Sequence, residues 1–204
     1  MVTRQAESRT PRERYRDVLR RSILDTAREA FVRDGYEGVS MRKLAEKIGC
    51  SHANLYLHFK DKEALFDCLV EESFDRFGEG MRKLIESAKG DDTVKLVRKL
   101  ARAYVEFGVN NPSVYEFAFL LRRPGNERAD KPHLAYERLR ALVRRCIAEK
   151  RFRRMDVDVA SQALWAGVHG ITSLLILRPR FPWADRDRLI DLVVDAAVDG
   201  LVAR

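Results

Sequence analysis

The sequence has few cysteines and no long apolar run. Its three cysteines, Cys50, Cys68 and Cys146, are odd in number and widely spaced, which excludes a disulfide framework and the paired ligand spacing of a zinc site. The most apolar stretch, residues 171–177, is far shorter than a membrane span. The first 21 residues are polar and arginine-rich throughout, so we expect no secretory signal and a cytoplasmic location.

The sequence also lacks the residue combinations of an enzyme. Its four histidines are scattered, and no carboxylate pair, nucleophile beside a base, or phosphate-cradling glycine loop is present. We therefore expect no catalytic activity, no cofactor and no metal site. A helical enzyme is kept as the least supported alternative.

Apolar residues instead recur at helical spacing along most of the chain. The apolar fraction is 46% and the charged fraction 34%, and no alternating segment indicates a strand. We predict an all-α protein. It has a disordered arm at residues 1–10, a three-helix helix-turn-helix domain at residues 11–60 and a helical-bundle domain at residues 61–204.

Residues 40–59 have the pattern of a helix-turn-helix. Ser40 precedes a short apolar-periodic segment that breaks at Gly49, and Ser51 precedes a second such segment. Serine is a favoured helix cap, and glycine adopts the left-handed conformation in which many helices end. Two short helices joined in this way can place the second one in a DNA major groove. An ordinary helical hairpin is the alternative.

The charge distribution agrees with DNA binding. Residues 1–60 contain 13 Lys and Arg against 8 Asp and Glu, so 5 of the 8 net positive charges lie there. A basic surface neutralises phosphates and gives sequence-independent affinity for nucleic acid. Five arginines near the start of the first helix either contact phosphates or form a solvated helix end: Arg12, Arg14, Arg16, Arg20 and Arg21.

A set of residues between positions 12 and 66 matches a known pattern: Ala27, Ala30, Phe31, Gly35, Ser40, Leu44, Ala45, Gly49, Ser51, Leu55, Tyr56, Phe59, Lys62, Glu63 and Leu65. In order, spacing and chemistry this region resembles the DNA-binding domain of the tetracycline-repressor (TetR/AcrR) family of bacterial transcription regulators. Cys50 and Asn54 depart from the aliphatic residue and the threonine that are usual in that family. The second departure affects the base preference rather than the fold.

The resemblance implies which side chains meet DNA. Phosphate contacts are expected from Ser40, Arg42, Tyr56, His58 and Lys62. Lys62 also lies at a helix N-terminus, where the helix dipole and the ammonium both favour a phosphate.

The expected recognition helix begins at its cap residue Ser51 and exposes His52, Ala53, Asn54 and Leu57. Asparagine can bond an adenine edge, and alanine or leucine can touch a thymine methyl group. The alternatives are that His52 is a solvent-exposed cap residue and Tyr56 a packed structural aromatic.

A second, shorter resemblance lies in the C-terminal half. Residues 165–170 read WAGVHG and, with residues 111–117, resemble the Trp-His-Gly type of C-terminal domain attached to such regulators. This implies a ligand-binding and dimerisation domain. Aromatic residues with a few polar ends are expected to surround an apolar molecule: Tyr104, Phe107, Tyr115, Phe119, Trp165 and His169. Plain core is the alternative for each, and His169 has the further alternative of bonding a backbone carbonyl.

The last two predicted helices carry apolar stripes suited to a four-helix dimer interface. One stripe consists of Leu164, Val168, Ile171 and Leu175, and the other consists of Leu189, Leu192, Val193, Ala196, Ala197 and Gly200. Burial within a single chain is the alternative. We thus expect a homodimeric transcription regulator, most simply a repressor, that binds a palindromic double-stranded operator and is released by a small apolar effector. A ligand-independent DNA-binding dimer is the alternative, and no membrane partner is expected.

Overall fold

The computed structural model describes residues 10–88, 90, 92–121 and 134–203. The all-α prediction is confirmed. The described residues form helices, and the extended pairing among them is limited to an isolated bridge between Phe152 and Val202. The predicted disordered arm, apart from Thr10, lies outside the described residues.

The chain divides into two compact units. The first comprises Met1–Glu72 and Glu116–Pro124, and the second comprises Ser73–Tyr115 and Gly125–Arg204. The division therefore falls at residues 72/73, inside a helix, rather than at the predicted 60/61. A segment from the middle of the chain also belongs to the first unit, which the sequence did not predict.

Nine α-helices and one π-helix lie within the described residues. The first unit contains α1 (Pro11–Gly38), α2 (Met41–Ile48), α3 (His52–His58), the start of α4 (Lys62–Ser87) and the π-helix (Glu116–Leu120). The second unit contains the rest of α4, α5 (Thr93–Asn110), α6 (Pro112–Tyr115), α7 (Leu134–Ala148), α8 (Val157–Leu177) and α9 (Arg186–Asp199).

Local sequence signals set the ends of the first helices. The Thr10 hydroxyl accepts a hydrogen bond from the Glu13 amide, and the Glu13 carboxylate accepts one from the Thr10 amide, which is a capping box. Gly35 interrupts α1 with a φ of 70°, close to the predicted helix end. Gly49 follows α2 with a φ of 76°, a left-handed conformation that a side chain would strain. The predicted turn between α2 and α3 is therefore confirmed.

Aromatic packing holds the first unit together. The ring of Phe31 on α1 lies 5.2 Å from that of Phe66 on α4 and 5.9 Å from that of Phe117 on the π-helix. All three side chains are buried, as is Leu55 of α3. Burying each such side chain contributes about 1.5–3 kcal/mol, so this cluster fixes α1, α3 and α4 as one body.

Residues Glu116–Leu120 form a π-helix rather than an α-helix. The Leu121 amide donates to the Glu116 carbonyl at 2.7 Å, five residues back rather than four. The extra residue in this turn changes the direction of the side chains that follow Tyr115. Tyr115 is a buried residue of the second unit, whereas Phe117 is a buried residue of the first.

Helix α8 is the central element of the second unit, because α5, α7 and α9 all pack against it. Its N-cap is Asp156, whose carboxylate accepts bonds from the amides of Asp158 and Val159. Among the described residues, α8 is the one helix long and apolar enough to cross a membrane. Its packing against three neighbours identifies it as the core helix of this unit.

Ion pairs join α5 to α9. Arg98 is bonded to Asp195 and Asp199, and Arg102 to Asp187 and Asp191. Because the four aspartates recur every four residues, they lie along one face of α9. The charged face of α9 is therefore directed at α5 of the same chain.

The predicted dimer stripe on α8 is buried within the single chain. Leu164, Val168, Ile171 and Leu175 are only 2–7% exposed within the single chain, so they have almost no area to offer a second copy. The apolar residues that α8 exposes are instead Val159, Trp165, Leu174 and Leu177. On α9 the prediction stands as a proposal, since Leu192, Ala196 and Gly200 are exposed and Leu189, Val193 and Ala197 are partly exposed.

We expect Gly108→Ala to destabilise the protein. A β-carbon built on Gly108 would overlap Thr172 Cγ2 and lie 2.8 Å from Tyr115 Cδ2, so α5 and α8 would have to separate. Overpacking of this kind lowers the free energy of unfolding by about 1–3 kcal/mol, which urea denaturation measures. Gly80→Ala is the matched control, because nothing lies within 4 Å of its added carbon; it should raise the free energy of unfolding by up to about 1 kcal/mol. Equal effects of the two variants would contradict the close approach.

Candidate nucleic-acid interface and sensor cluster

Helix α3 presents a recognition surface because only one side of it is needed for packing. The Ser51 hydroxyl accepts a hydrogen bond from the Asn54 amide at 3.1 Å and starts the helix. Leu55 then points into the core with no exposed area. The residues on the other side, His52, Ala53, Tyr56 and Leu57, are exposed, and Asn54 is partly exposed.

Leu57 and Tyr56 are unusually exposed for apolar and aromatic residues. Leu57 is 83% exposed and Tyr56 43%. The Tyr56 ring lies 4.7 Å from the His52 ring in an edge-on contact, so Tyr56 belongs to this outer surface and is not a packed core residue. An exposed leucine between polar neighbours is suited to contact a thymine methyl group.

At the start of α2, Ser40 and Arg42 also face outward. Ser40 is the N-cap residue, but its side chain makes no capping hydrogen bond. Arg42 pairs with Glu46 at 3.0 Å, with both side chains mostly exposed. Exposed pairs of this kind are weak, so the guanidinium can exchange Glu46 for a phosphate at little cost.

His58 lies at the end of α3 near two arginines. Burial is the main cause of its lowered pKa, and the charges of Arg20 and Arg16 lower the pKa further. The imidazole is therefore neutral at neutral pH and has one N–H to donate. An approaching phosphate would favour the protonated ring, so protonation of His58 and phosphate binding strengthen each other.

The structure gives Lys62 interactions inside the first unit, and its predicted phosphate contact stays a prediction. Its ammonium donates to the Tyr36 carbonyl at 3.0 Å and lies 4.2 Å from the centroid of the Tyr36 ring. Both interactions are within the first unit, and they join the start of α4 to the end of α1. The predicted helix N-terminus is present, but its lysine is already engaged.

The five arginines near the start of α1 divide into two groups. Arg20 lies 4.5 Å from the Phe59 ring centroid, and Arg21 pairs with Glu72 at 3.2 Å. These two bind their own unit. Arg12, Arg14 and Arg16 are exposed, so they are the members of the run that remain suited to phosphate contact.

In the second unit, four of the six predicted ligand-binding residues form one hydrogen-bonded group, which we call the sensor cluster: Tyr104, Tyr115, Trp165 and His169. The Trp165 indole N–H donates to the Tyr104 hydroxyl at 3.2 Å. The two tyrosine hydroxyls lie 3.0 Å apart, and Tyr115 Oη lies 2.6 Å from His169 Nδ1. A chain of donors from Trp165 through both tyrosines ends at Nδ1 as acceptor, which assigns the imidazole proton to Nε2.

The sensor cluster is uncharged at neutral pH. Burial raises the pKa of both tyrosines and lowers the pKa of His169, since a low-dielectric surrounding disfavours every charged form. Through Nδ1, His169 bonds the hydroxyls of Tyr104 and Tyr115. Nothing in the cluster is arranged to attract a charged group.

The other two predicted residues have different places. Phe107 adjoins the cluster through Phe77, whose ring lies 5.2 Å from the rings of both Phe107 and Tyr104. Phe119 lies on the π-helix, which belongs to the first unit, whereas the other five predicted residues belong to the second. Sequence reasoning missed Phe77 and also Tyr136, whose ring lies 5.8 Å from that of Trp165. Phe77 is one of the apolar residues that recur at helical spacing along α4, and this spacing is the one sequence signal that could have identified it.

Comparison with known proteins gives a family match in each half of the chain. The N-terminal region, residues 23–69, matches the model of the bacterial regulatory proteins of the tetR family. Residues 97–197 match the tetracyclin repressor-like C-terminal domain. The chain belongs to the TetR family. It is a DNA-binding transcription regulator and not an enzyme, while the finer resemblance to Trp-His-Gly domains stays a prediction. Among the described residues, no group of three or more His, Cys, Asp or Glu is placed to hold a metal.

Relatives of this TetR-family regulator include proteins of opposite regulatory sign. The transcriptional repressor Rv1474c of Mycobacterium tuberculosis is 44% identical over 57 residues, which are 28% of this chain and 30% of that protein. The transcriptional activator FasR of Mycolicibacterium smegmatis is 26% identical over 189 residues, which are 92% of this chain and 81% of that protein. A solved structure from Rhodococcus sp. RHA1, of unknown function, has a TM-score of 0.74 at 26% identity and covers 91% of this chain and 96% of its own.

Two substitutions distinguish a phosphate contact from an internal one. We expect Arg42→Ala to weaken binding to every DNA sequence and to reduce the slope of log affinity against log salt by about 1, because one ion pair with DNA is lost. Lys62→Met should leave that slope unchanged and lower the free energy of unfolding by about 1 kcal/mol. Fluorescence anisotropy over a salt series and urea denaturation measure the two effects. A flattened salt slope in Lys62→Met would restore the phosphate role of this lysine.

Proposed function

We propose that the protein is a homodimeric repressor that reads a palindromic operator with α3 and is released by a small, largely apolar effector bound in the second unit. The exposure of Leu57 is the observation that best supports base recognition by α3. A leucine that is 83% exposed on a short helix is costly to hydrate and has no packing function in its own unit. Together with Ala53 and Asn54 it provides the apolar and bidentate contacts that distinguish A·T base pairs.

The dimer is proposed on the outer faces of α8 and α9. Leu174, Leu177 and Leu192 are 50%, 58% and 67% exposed. Leucines this exposed on two helices that pack against each other support an interaction surface here. A two-fold axis through such a surface places two copies of α3 about one DNA turn, roughly 34 Å, apart or a multiple of it.

Release by an effector requires that the second unit affect the first. Within the residues that the structure describes, the chain passes between the units twice: in α4, at residues 72/73, and at the step from Tyr115 to Glu116. Tyr115 is a member of the sensor cluster, so an effector that rearranges the cluster acts on a residue adjacent in sequence to the first unit. We propose that the effector shifts α4 and thereby the spacing of the two recognition helices. The effector must bind the released state more tightly, and DNA must weaken effector binding by the same factor.

Selection of bound duplexes from a random pool tests DNA recognition directly. The full-length protein should enrich inverted repeats, since a two-fold dimer reads each half-site identically. Enrichment of single, unrepeated sites would overturn the dimeric reading. A reporter gene placed behind the selected site then shows whether the protein represses or activates transcription. A rise in expression on adding the protein would overturn the assignment as a repressor.

Asn54→Ala should relax the preference for one base pair in each half-site. Loss of a bidentate contact to a base costs about 1–3 kcal/mol of discrimination at that position. Affinities for the selected site and its single-base variants measure the change. Arg42→Ala is the control, because it should weaken binding to all variants by the same factor. An unchanged base preference in Asn54→Ala would show that this residue does not read DNA.

Leu192→Asp should convert the dimer to a monomer. A carboxylate introduced on the outer face of α9 would be buried and unpaired in the interface, yet it is harmless where the residue is exposed in the single chain. Sedimentation velocity measures the change, and affinity for the full palindrome should fall at least tenfold. Leu134→Asp on α7, where the leucine is 60% exposed, is the control and should remain dimeric. A dimeric Leu192→Asp protein would place the interface elsewhere.

A further inference from the structure

One hydroxyl beside the sensor cluster is buried without a partner. Tyr136 Oη, at the start of α7, is shielded from solvent and makes no hydrogen bond. The Tyr136 ring lies 5.8 Å from the Trp165 ring, so its hydroxyl is next to the cluster. A buried hydroxyl without a partner destabilises a fold by the full desolvation of the group. Phenylalanine would avoid this loss, so the hydroxyl at this position serves a purpose other than folding.

The polar groups around this hydroxyl select for an uncharged partner. The bonds that join the sensor cluster are made by two neutral hydroxyls, an indole N–H and a neutral imidazole. The charge on the next turn of α7, Arg140, is already neutralised by bonds to Asp158. An ionised group placed here would lose its hydration without gaining a counter-ion.

We infer that Tyr136 recognises an uncharged hydrogen-bonding group, namely a carbonyl, ether or hydroxyl oxygen, on an otherwise apolar effector. This inference rests on the proposed effector role of the second unit and names the chemical class of the effector. Trp165 is 38% exposed, so one side of the cluster is reached from solvent and gives such a molecule an apolar surface beside the hydroxyl. Carboxylates and amines of the same shape are excluded as effectors by the neutrality of the site.

The first test needs no ligand. Removing the hydroxyl in Tyr136→Phe should leave the melting temperature of the free protein unchanged or raise it by about 1–3 °C, because no bond is lost. Tyr115→Phe removes a hydroxyl that bonds both Tyr104 and His169, and should lower the melting temperature by about 2–4 °C. Equal losses in the two variants would show that Tyr136 Oη has a partner in the fold and would overturn the inference.

The second test uses matched probes on a decyl chain and on naphthalene, each as a methyl ketone, an alcohol, a carboxylate, an ammonium and the parent hydrocarbon. Calorimetry on the full-length protein should find that a ketone or an alcohol binds at least about tenfold more tightly than its hydrocarbon and its charged analogues. Tyr136→Phe should abolish this advantage and leave hydrocarbon affinity unchanged, and Tyr15→Phe, at an exposed tyrosine of α1, should change neither. The inference is overturned by preference for a charged probe, by binding of no probe, or by an unchanged preference in Tyr136→Phe.

Operator affinity measured with the same probes separates this inference from the proposed function. Probes that bind through Tyr136 but leave operator affinity unchanged would overturn release by an effector, while the recognition of an uncharged group would stand. Release that is identical in the natural protein and in Tyr136→Phe would overturn the inference, while the proposed function would stand.

Discussion

The contact of Phe31 with Phe66 and Phe117 is the interaction on which the first unit depends. It brings α1, α4 and the π-helix to one point, and α1 in turn provides the surface on which α2 and α3 pack. With Leu55 inserted into the same core, the direction of α3 follows from the packing of apolar side chains alone. The residues on the outer face of α3 are therefore not needed for packing. This separation lets the first unit vary what it reads without altering how it folds.

In the second unit, ion pairs lie at the surface and a hydrogen-bonded group of neutral side chains lies in the interior. Its charged residues act at the surface, where Arg98 and Arg102 on α5 hold the aspartates of α9. The polar groups of its sensor cluster are neutral and bonded to one another. A buried network of neutral groups avoids the large desolvation of ions, and its strength depends on every member being satisfied. Such a group responds strongly to the arrival or loss of one hydrogen bond, which suits a site that detects a molecule.

Local signals could be predicted from the sequence, and interactions between distant segments could not. Gly49 and Ser51 set their turn and cap through their own backbone preferences, so their roles were readable. The π-helix depends on the burial of Phe117 among residues far away in sequence, and no local pattern marks it. For Leu164 and Val168, the spacing shows that one face of α8 is buried but not whether the same chain buries it. Lys62 was placed correctly at a helix start, yet the Tyr36 carbonyl that binds it lies 26 residues earlier.

The position of Phe117 has a consequence for how the protein can be divided. The first unit takes this core residue from a segment that follows 43 residues of the second unit, Ser73–Tyr115. A fragment that ends at residue 72 would contain the whole helix-turn-helix but would leave Phe31 and Phe66 facing a void, a loss of about 3–5 kcal/mol when a buried phenylalanine is removed. The first unit is thus built from two separate segments of the chain, and the second segment completes its core.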